Sequence, residues 1–433
     1  MLGRTNITTV KGGTIVSDID SLAWNNAGTL NINSAFKKAF YGNNILVAVT
    51  KSGAVIYTRD GENWETADLN MDIEYHISDG IWDGHRFVFV GSHATDTEGR
   101  CNALIVTTED FQNYEIMRDC TGGEYDSSAA TSKKLSMAYC GKFHSIFLNE
   151  DATYTIIYST AEPIAANYGV MNIFFANGKL ENLQFTCSIM NRMHYDKFTY
   201  TYEKALESIY VETARNADSF VFYVKALYSE SGLAYYYEHI IGISDNGNSY
   251  LSLEKYNANG DNGKPVIASN MFRIFECKDS LYYITLAEEQ NRLVRLKGFS
   301  DGSGSVVSVG GEWGFVDAVY FNKCEIFINA HQMSVVKPGE SIADKTEKDL
   351  VDISFDFSLI SIVKAFEKLY IFGTNGNILV SSDEIKNESV IAVKTMSAIK
   401  ALYDAKEYTD KRCEAIVERI AVLENVNSGS IEI

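Results

Sequence analysis

Trp313, Tyr256, Tyr228 and Tyr125 stand in polar, turn-rich stretches beside His93, Asp96, Arg100 and Asp126. Aromatic faces flanked by such donors and acceptors hold sugar rings: the face packs on the C–H surface while the polar groups take the hydroxyls. These residues form a candidate glycan-binding rim, although any one of the aromatics serves equally well to pin its own loop. Acid–base chemistry is less well marked. The chain has 57 Asp and Glu residues, so many carboxylate pairs can meet in a folded domain, but no spacing singles out a pair for glycoside hydrolysis.

The seven histidines are dispersed, and none lies four residues from another as a helical zinc pair requires. The seven cysteines are odd in number and show no CxxC, which reads as reduced and mostly buried thiols. Neither a metal site nor a cofactor is expected. A formal charge of −19 opposes nonspecific contact with nucleic acid or an anionic membrane. No run approaches the ~18 apolar residues of a spanning helix, so no membrane insertion is expected. The opening residues, MLGRTNITTVKGG, carry no apolar core of a secretory signal.

A loop-borne site needs a rigid scaffold, and the rest of the sequence supplies one. Three prolines against 26 Tyr and 23 Phe point to sheet, where aromatics suit half-buried pleated surfaces. One unit recurs seven times, from AFKKAFYGNNILVAVTKSGAVIYTRDGENW to SLISIVKAFEKLYIFGTNGNILVSSDEI: a strand, a tight turn, an apolar strand, a polar turn and another strand. Second strands begin near Asn44, Arg86, Phe143, Ser219, Leu281, Glu325 and Leu369. At both ends of the series the spacing matches the roughly 40–50 residues of a four-stranded propeller blade, and longer insertions fall in the middle. A solenoid, with a shorter and more even period, fits less well. The sequence thus predicts an all-β, seven-bladed propeller over residues 36–395, with six or eight blades as alternatives. The first strand of each unit is expected to be small or apolar at alternate positions, as the innermost strand. Residues 1–35 form an N-terminal segment for attachment or blade closure.

Within YTRDGENW, residues 57–64, a strand ends at Thr58, Asp60 and Gly61 make a turn, and Trp64 opens the next strand. Asp accepts backbone N–H bonds at such a turn, Gly supplies positive φ, and the aromatic folds back on the sheet. The set Thr58, Asp60, Gly61 and Trp64 resembles the Asp-box (bacterial neuraminidase) repeat of sialidases and of many noncatalytic propellers, including phage tail proteins. It is one residue shorter between Asp and Trp than the strict sialidase form. Weaker echoes are TTEDFQNY with Asp110 and Tyr114, GISDNGNSY with Asp245, Gly247 and Tyr250, and SSDEIKN with Asp383. In sialidases the box lies away from the catalytic centre. FRIF, residues 272–275, is similar to that family's arginine motif but lacks its closing Pro and follows the boxes, so Arg273 is taken as an ordinary strand residue.

From Ser397 the texture changes. SAIKALYDAKEYTDKRCEAIVERIAVLENV has no Gly or Pro and is rich in helix formers, which predicts a helix of ~30 residues. A heptad seam runs through Ile399, Leu402, Lys406, Thr409, Cys413, Ile416, Ile420 and Leu423. Ile and Leu in the seam favour a parallel trimeric coiled coil; a helix docked on the propeller is the alternative.

The resemblance implies a noncatalytic bacteriophage tail or baseplate protein that recognises a host-surface glycan and is carried in the virion with other tail proteins. A structural baseplate scaffold and a glycan depolymerase are the alternative readings. If the seam assembles the protein, deleting residues 397–433 leaves a folded monomer. Light scattering then falls from a trimer mass to a monomer mass, and an unchanged mass counts against the coiled coil.

Overall fold

Tight hairpin turns set the geometry of the inner strands. At Asn43–Asn44, Asn322–Lys323 and Phe366–Glu367, both central residues have positive φ between 48° and 65°. Two-residue turns of this kind match the right-handed twist of the strands they join. Asn adopts the conformation readily, whereas Phe366 is held there by packing, its ring edge-on to Tyr41 at 5.1 Å.

The structure, a computed structural model, describes residues 24–381 apart from 96–100, 118–140, 197–208, 258–273, 298–304 and several shorter breaks. Among the described residues the strands form seven four-stranded antiparallel sheets. The inner strands are Phe36–Gly42, Tyr75–Trp82, Gly141–Leu148, Tyr210–Arg215, Ile274–Cys277, Asp317–Phe321 and Leu359–Ala365, and they define sheets 1 to 7. Each inner strand packs beside the next, and that of sheet 7 packs beside that of sheet 1. The result is a closed, all-β, propeller-like ring.

Six sheets run in chain order from inner to outer strand. Sheet 7 instead takes its outermost strand, Trp24–Thr29, from the N-terminal side, in antiparallel register from Trp24 opposite Ser381 to Thr29 opposite Asn377. The ring therefore closes by hydrogen bonds between distant parts of the chain. In the third repeat the expectation is off by one strand. Phe143 lies in the inner strand, and the second strand is Tyr154–Pro163. GKFHSIFL is apolar enough to read as a second strand, but in the ring its faces are covered by sheets 2 and 4, as an inner strand's are. Much of the long insertion in the middle of the series is two long strands of sheet 3, Tyr168–Lys179 and Gln184–Asp196.

The core lies between sheets. Phe36 meets Phe372 edge-on at 4.9 Å between sheets 1 and 7. Tyr57 stacks on Phe111 at 4.2 Å between sheets 1 and 2. Phe143, Ile156 and Tyr158 of sheet 3 pack on Val88, Val90 and Ile105 of sheet 2. Each such buried side chain contributes about 1.5–3 kcal/mol.

The turn at Thr58–Trp64 joins strands Val55–Thr58 and Trp64–Thr66. Asp60 Oδ1 accepts the N–H groups of Glu62 at 2.8 Å and Asn63 at 2.7 Å, while Gly61 N donates to Thr58 Oγ1 at 3.0 Å. These bonds hold the Asp60 carboxyl well below the usual carboxylate range, the Asn63 side-chain bond contributing most. Sheet 2 repeats the turn bond for bond. Asp110 Oδ1 accepts Gln112 N at 2.9 Å and Asn113 N at 3.1 Å, and Phe111 N donates to Thr108 Oγ1 at 2.9 Å. The Arg59 guanidinium donates to Asp110 O and so ties one turn to the other. Trp64 packs edge-on to Phe372 at 5.8 Å, binding its turn to sheet 7.

Gly61 has φ +80°, and a Cβ there would lie 2.1 Å from the Tyr370 hydroxyl, whereas Gly84, at φ +98°, has nothing within 4 Å of its notional Cβ. Gly61→Ala is therefore expected to cost roughly 2–4 kcal/mol from the clash and the left-handed backbone together, and Gly84→Ala only about 1 kcal/mol. Urea denaturation of the two variants checks the difference.

Candidate functional site

The inner strands of all seven sheets line one axial cavity of about 580 Å³. Along sheets 2, 3 and 4 it runs to the last residues of the inner strands, Trp82, Leu148 and Arg215. In sheets 1, 6 and 7 it stops at Ala39, Ala318 and Ile362, so it widens toward one side of one mouth.

The inner strands were expected to be small or apolar at alternate positions. Gly141–Leu148 and Leu359–Ala365 keep to that pattern, but other inner strands carry charges to the axis, and for the carboxylates the reason is visible in their hydrogen bonds. Asp79, 3% exposed, sits where the inner strand of sheet 2 is bulged between Ile77 and Asp79. Its Oδ1 accepts from Lys38 Nζ of sheet 1 at 2.8 Å and from Gly80 N at 2.8 Å. Its Oδ2 accepts from Ser145 Oγ at 2.6 Å and Ile146 N at 3.1 Å, both on sheet 3. Ser145 has one proton and gives it to Asp79, so the hydroxyl of Thr213 on sheet 4, 2.5 Å away, is the donor of the next bond. Four sheets are thus linked by one chain of polar contacts.

The same clamp recurs across the ring. Asp317 of sheet 6 takes Ser361 Oγ at 2.7 Å and Ile362 N at 2.9 Å through Oδ2, and Ala318 N at 2.9 Å through Oδ1. In both clamps the strand that donates is itself bulged, between Phe143 and Ser145 and between Leu359 and Ser361. A bulge interrupts the strand ladder, and here the carboxylate of the preceding sheet takes up the N–H beside it.

Burial pushes the Asp79 carboxyl up, but Lys38, Lys37 and the bonds from Lys38 and Ser145 outweigh it and hold the group below the ordinary carboxylate value. His144 is buried beside it, with Nε2 2.6 Å from Ser159 Oγ. Burial, with Lys142 and Lys37 close by, moves its pKa well below the usual histidine value. His76 is pushed down to about 4, chiefly by burial and then by Lys142. The entry end of these strands in sheets 1 to 3 therefore carries lysine charge and neutral histidines.

At the wide mouth Trp82 is fixed from two sides. A Cβ on Gly42 of sheet 1 would fall 2.1 Å from Trp82 Cγ, and the Phe87 ring lies 4.7 Å from the indole. Leu148, at the end of the neighbouring inner strand, is 36% exposed. Arg215 Nη1 donates to Leu148 O at 2.8 Å and also to Asn149 Oδ1, which anchors the guanidinium at the rim. Such a surface can stack on a ring and hydrogen-bond its substituents, while the Asp79 and Asp317 carboxylates are engaged in holding the sheets together.

Of the predicted rim residues that the structure describes, none lines this mouth. Trp313, Tyr125, Asp96, Arg100 and Asp126 lie outside the described residues, as do Asp245, Gly247 and all of Ile399, Leu402, Cys413, Ile416, Ile420 and Leu423. His93 is corrected: it is 5% exposed within the strand Phe87–Ala94, with Nδ1 2.6 Å from Ala94 O, so it offers no rim surface. Tyr228 and Tyr256 belong to strands Ser219–Glu230 and Tyr250–Asn257, and the connection after Tyr228 spans only residues 231–232, not a long loop. Tyr250 opens that same outer strand. Asp79, Asp317, Lys38 and Trp82 were missed. The available signal was an Asp followed by a small residue inside an inner-strand run, in ISDG and VDAV.

No protein-family model matches this sequence, and no curated protein matches it. Solved structures that it resembles include YCF48 from Cyanidioschyzon merolae, at 11% identity and TM-score 0.42, covering 83% of this chain and 98% of that one. Another is selenomethionine-substituted virginiamycin B lyase from Staphylococcus aureus, at 9% identity and TM-score 0.42, covering 83% and 99%. A third is the WD40 β-propeller domain of Doa1, at 9% identity and TM-score 0.36, covering 83% and 98%. At this similarity they carry no argument about activity, and the propeller-like assignment rests on the strand connectivity itself.

Asp79→Asn sets an amide N–H₂ against groups that donate to the carboxylate, and is expected to cost about 2–3 kcal/mol at neutral pH. Because Asp79 titrates lower in the folded than in the unfolded chain, its contribution is whole above an ordinary carboxylate pKa of about 4 and is lost as pH falls through the folded value. Thermal melts between pH 7 and pH 3 should show the variant's deficit shrinking at the acid end.

Proposed function

We infer that the chain is a seven-bladed, noncatalytic propeller of a bacteriophage tail or baseplate that recognises a glycan on the host surface. The observation that carries the binding reading is the axial cavity, where an anchored indole and an exposed leucine face polar groups while the innermost carboxylates serve as clamps between sheets. Preformed concave sites of about 300–1,000 Å³ with a few placed polar groups are typical of small-ligand recognition. The phage assignment is supported by the resemblance of Thr58, Asp60, Gly61 and Trp64 to the Asp-box, and by the recurrence of that turn at Thr108–Tyr114. In this reading residues 397–426 trimerise the protein in the virion, beside other tail proteins.

Purified full-length protein is expected to sediment with cell walls of a susceptible bacterial host and to release no reducing sugar from them. Released oligosaccharides would point to a depolymerase. Absence of wall binding, with co-purification of tail proteins, would point to a baseplate scaffold.

A further inference from the structure

The wide mouth at sheets 2, 3 and 4 is the most completely built surface on the axis. It lies at the ends of the inner strands, on the face that carries the tight inner hairpins. We propose that this mouth is a subsite for a neutral saccharide, with Trp82 as the stacking platform. The proposal rests on the glycan-binding reading above and gives it a place and a ligand class.

The indole is held before any ligand arrives. Gly42 has no side chain because Trp82 occupies the space where one would project, and Phe87 supports the ring from its own sheet. The surface of Trp82 left over lines the cavity. A rigid aromatic loses little conformational entropy on binding, so more of the contact energy appears as affinity. Leu148 extends the apolar surface from the neighbouring sheet, giving the C–H face of a pyranose a second contact.

Arg215 is anchored at the mouth through Leu148 O and Asn149 and presents a donor edge, while Glu212, deeper in the same strand, and Glu276 of sheet 5 add carboxylates to the lining of the cavity. Sugar hydroxyls both donate and accept, so one ring can use both kinds. The charge balance selects the class of sugar. Four carboxylates, Asp79, Glu212, Glu276 and Asp317, line the cavity against Lys37, Lys38 and Arg215, and this excess, on a chain of net charge −19, disfavours a ligand carrying a carboxylate or phosphate. A neutral hexose or N-acetylhexosamine meets no such penalty.

The test uses the full chain and an array of bacterial-surface oligosaccharides, neutral and acidic, followed by calorimetry with the tightest-binding neutral member. Trp82→Ala is expected to weaken binding about 30-fold, and Leu148→Asp at least about tenfold. Leu148 is exposed, so its variant keeps the wild-type melting temperature and decides the matter if Trp82→Ala folds poorly. The double variant Trp313→Ala/Tyr256→Ala, taken from the predicted rim, is expected to bind as the wild type does. Wild-type affinity in the folded Leu148→Asp and Trp82→Ala variants, with loss in the double variant, overturns the subsite and leaves the glycan-binding function standing. Preference for acidic over neutral members overturns the ligand class. No binding by the wild-type chain to any array member or to host walls overturns the functional reading together with the subsite.

Discussion

A carboxylate set between two sheets stays charged only if the neighbouring sheet brings donors to it, and the ring is organised around two of them, Asp79 buried and Asp317 partly buried. Asp79 takes four donors, from three successive sheets. Asp317 takes three, from two sheets. These bonds have direction, which the apolar contacts between sheets lack. Hydrophobic faces can slide by a residue with little change in buried area, but a Ser hydroxyl and an adjacent N–H meet one carboxylate oxygen in a single register. The bulges in the donating strands belong to the same device, since they turn an N–H out of the ladder toward the preceding sheet.

Ring closure imposes a second constraint. Sheets 1 to 6 are local, each built from consecutive strands, so most strand pairing forms between near neighbours in sequence. Sheet 7 alone depends on a strand from the other end of the described chain, Trp24–Thr29, whose residues are largely exposed. That strand is held through its pairing with Asn377–Ser381 and by the bond from Leu30 N to Gly376 O at 2.9 Å. Closure turns the unpaired edge of every inner strand toward the axis, where another chain cannot add a strand to it, which permits a chain so rich in strand to present mainly turns and outer strands to solvent.

The candidate site follows from these constraints. Inner strands must approach closely, so small residues stand where a neighbour's ring projects, as Gly42 does beneath Trp82. The approach is uneven, and the cavity is wider where sheets 2 to 4 end in Trp82, Leu148 and Arg215. The binding surface is therefore a by-product of how the ring packs, built on strands whose side chains are already fixed.

Local chemistry in the sequence was sufficient for the strand units, the tight turns at Asn43–Asn44 and Asp60–Gly61, and the all-β class, because period-two patterning and turn residues act over a few positions. It failed at GKFHSIFL, where an apolar run has the same pattern whether it is the first strand of a sheet or the second. His93 was misplaced for a related reason: a polar residue near a turn looks exposed until the strand is seen to continue through it. The Asp79 and Asp317 clamps, the closing strand and the Trp82 mouth were not legible, since each joins residues dozens to hundreds of positions apart. What an inner-strand carboxylate or a mouth tryptophan does is decided by the sheet that comes to lie beside it, and only closure of the ring brings that sheet there.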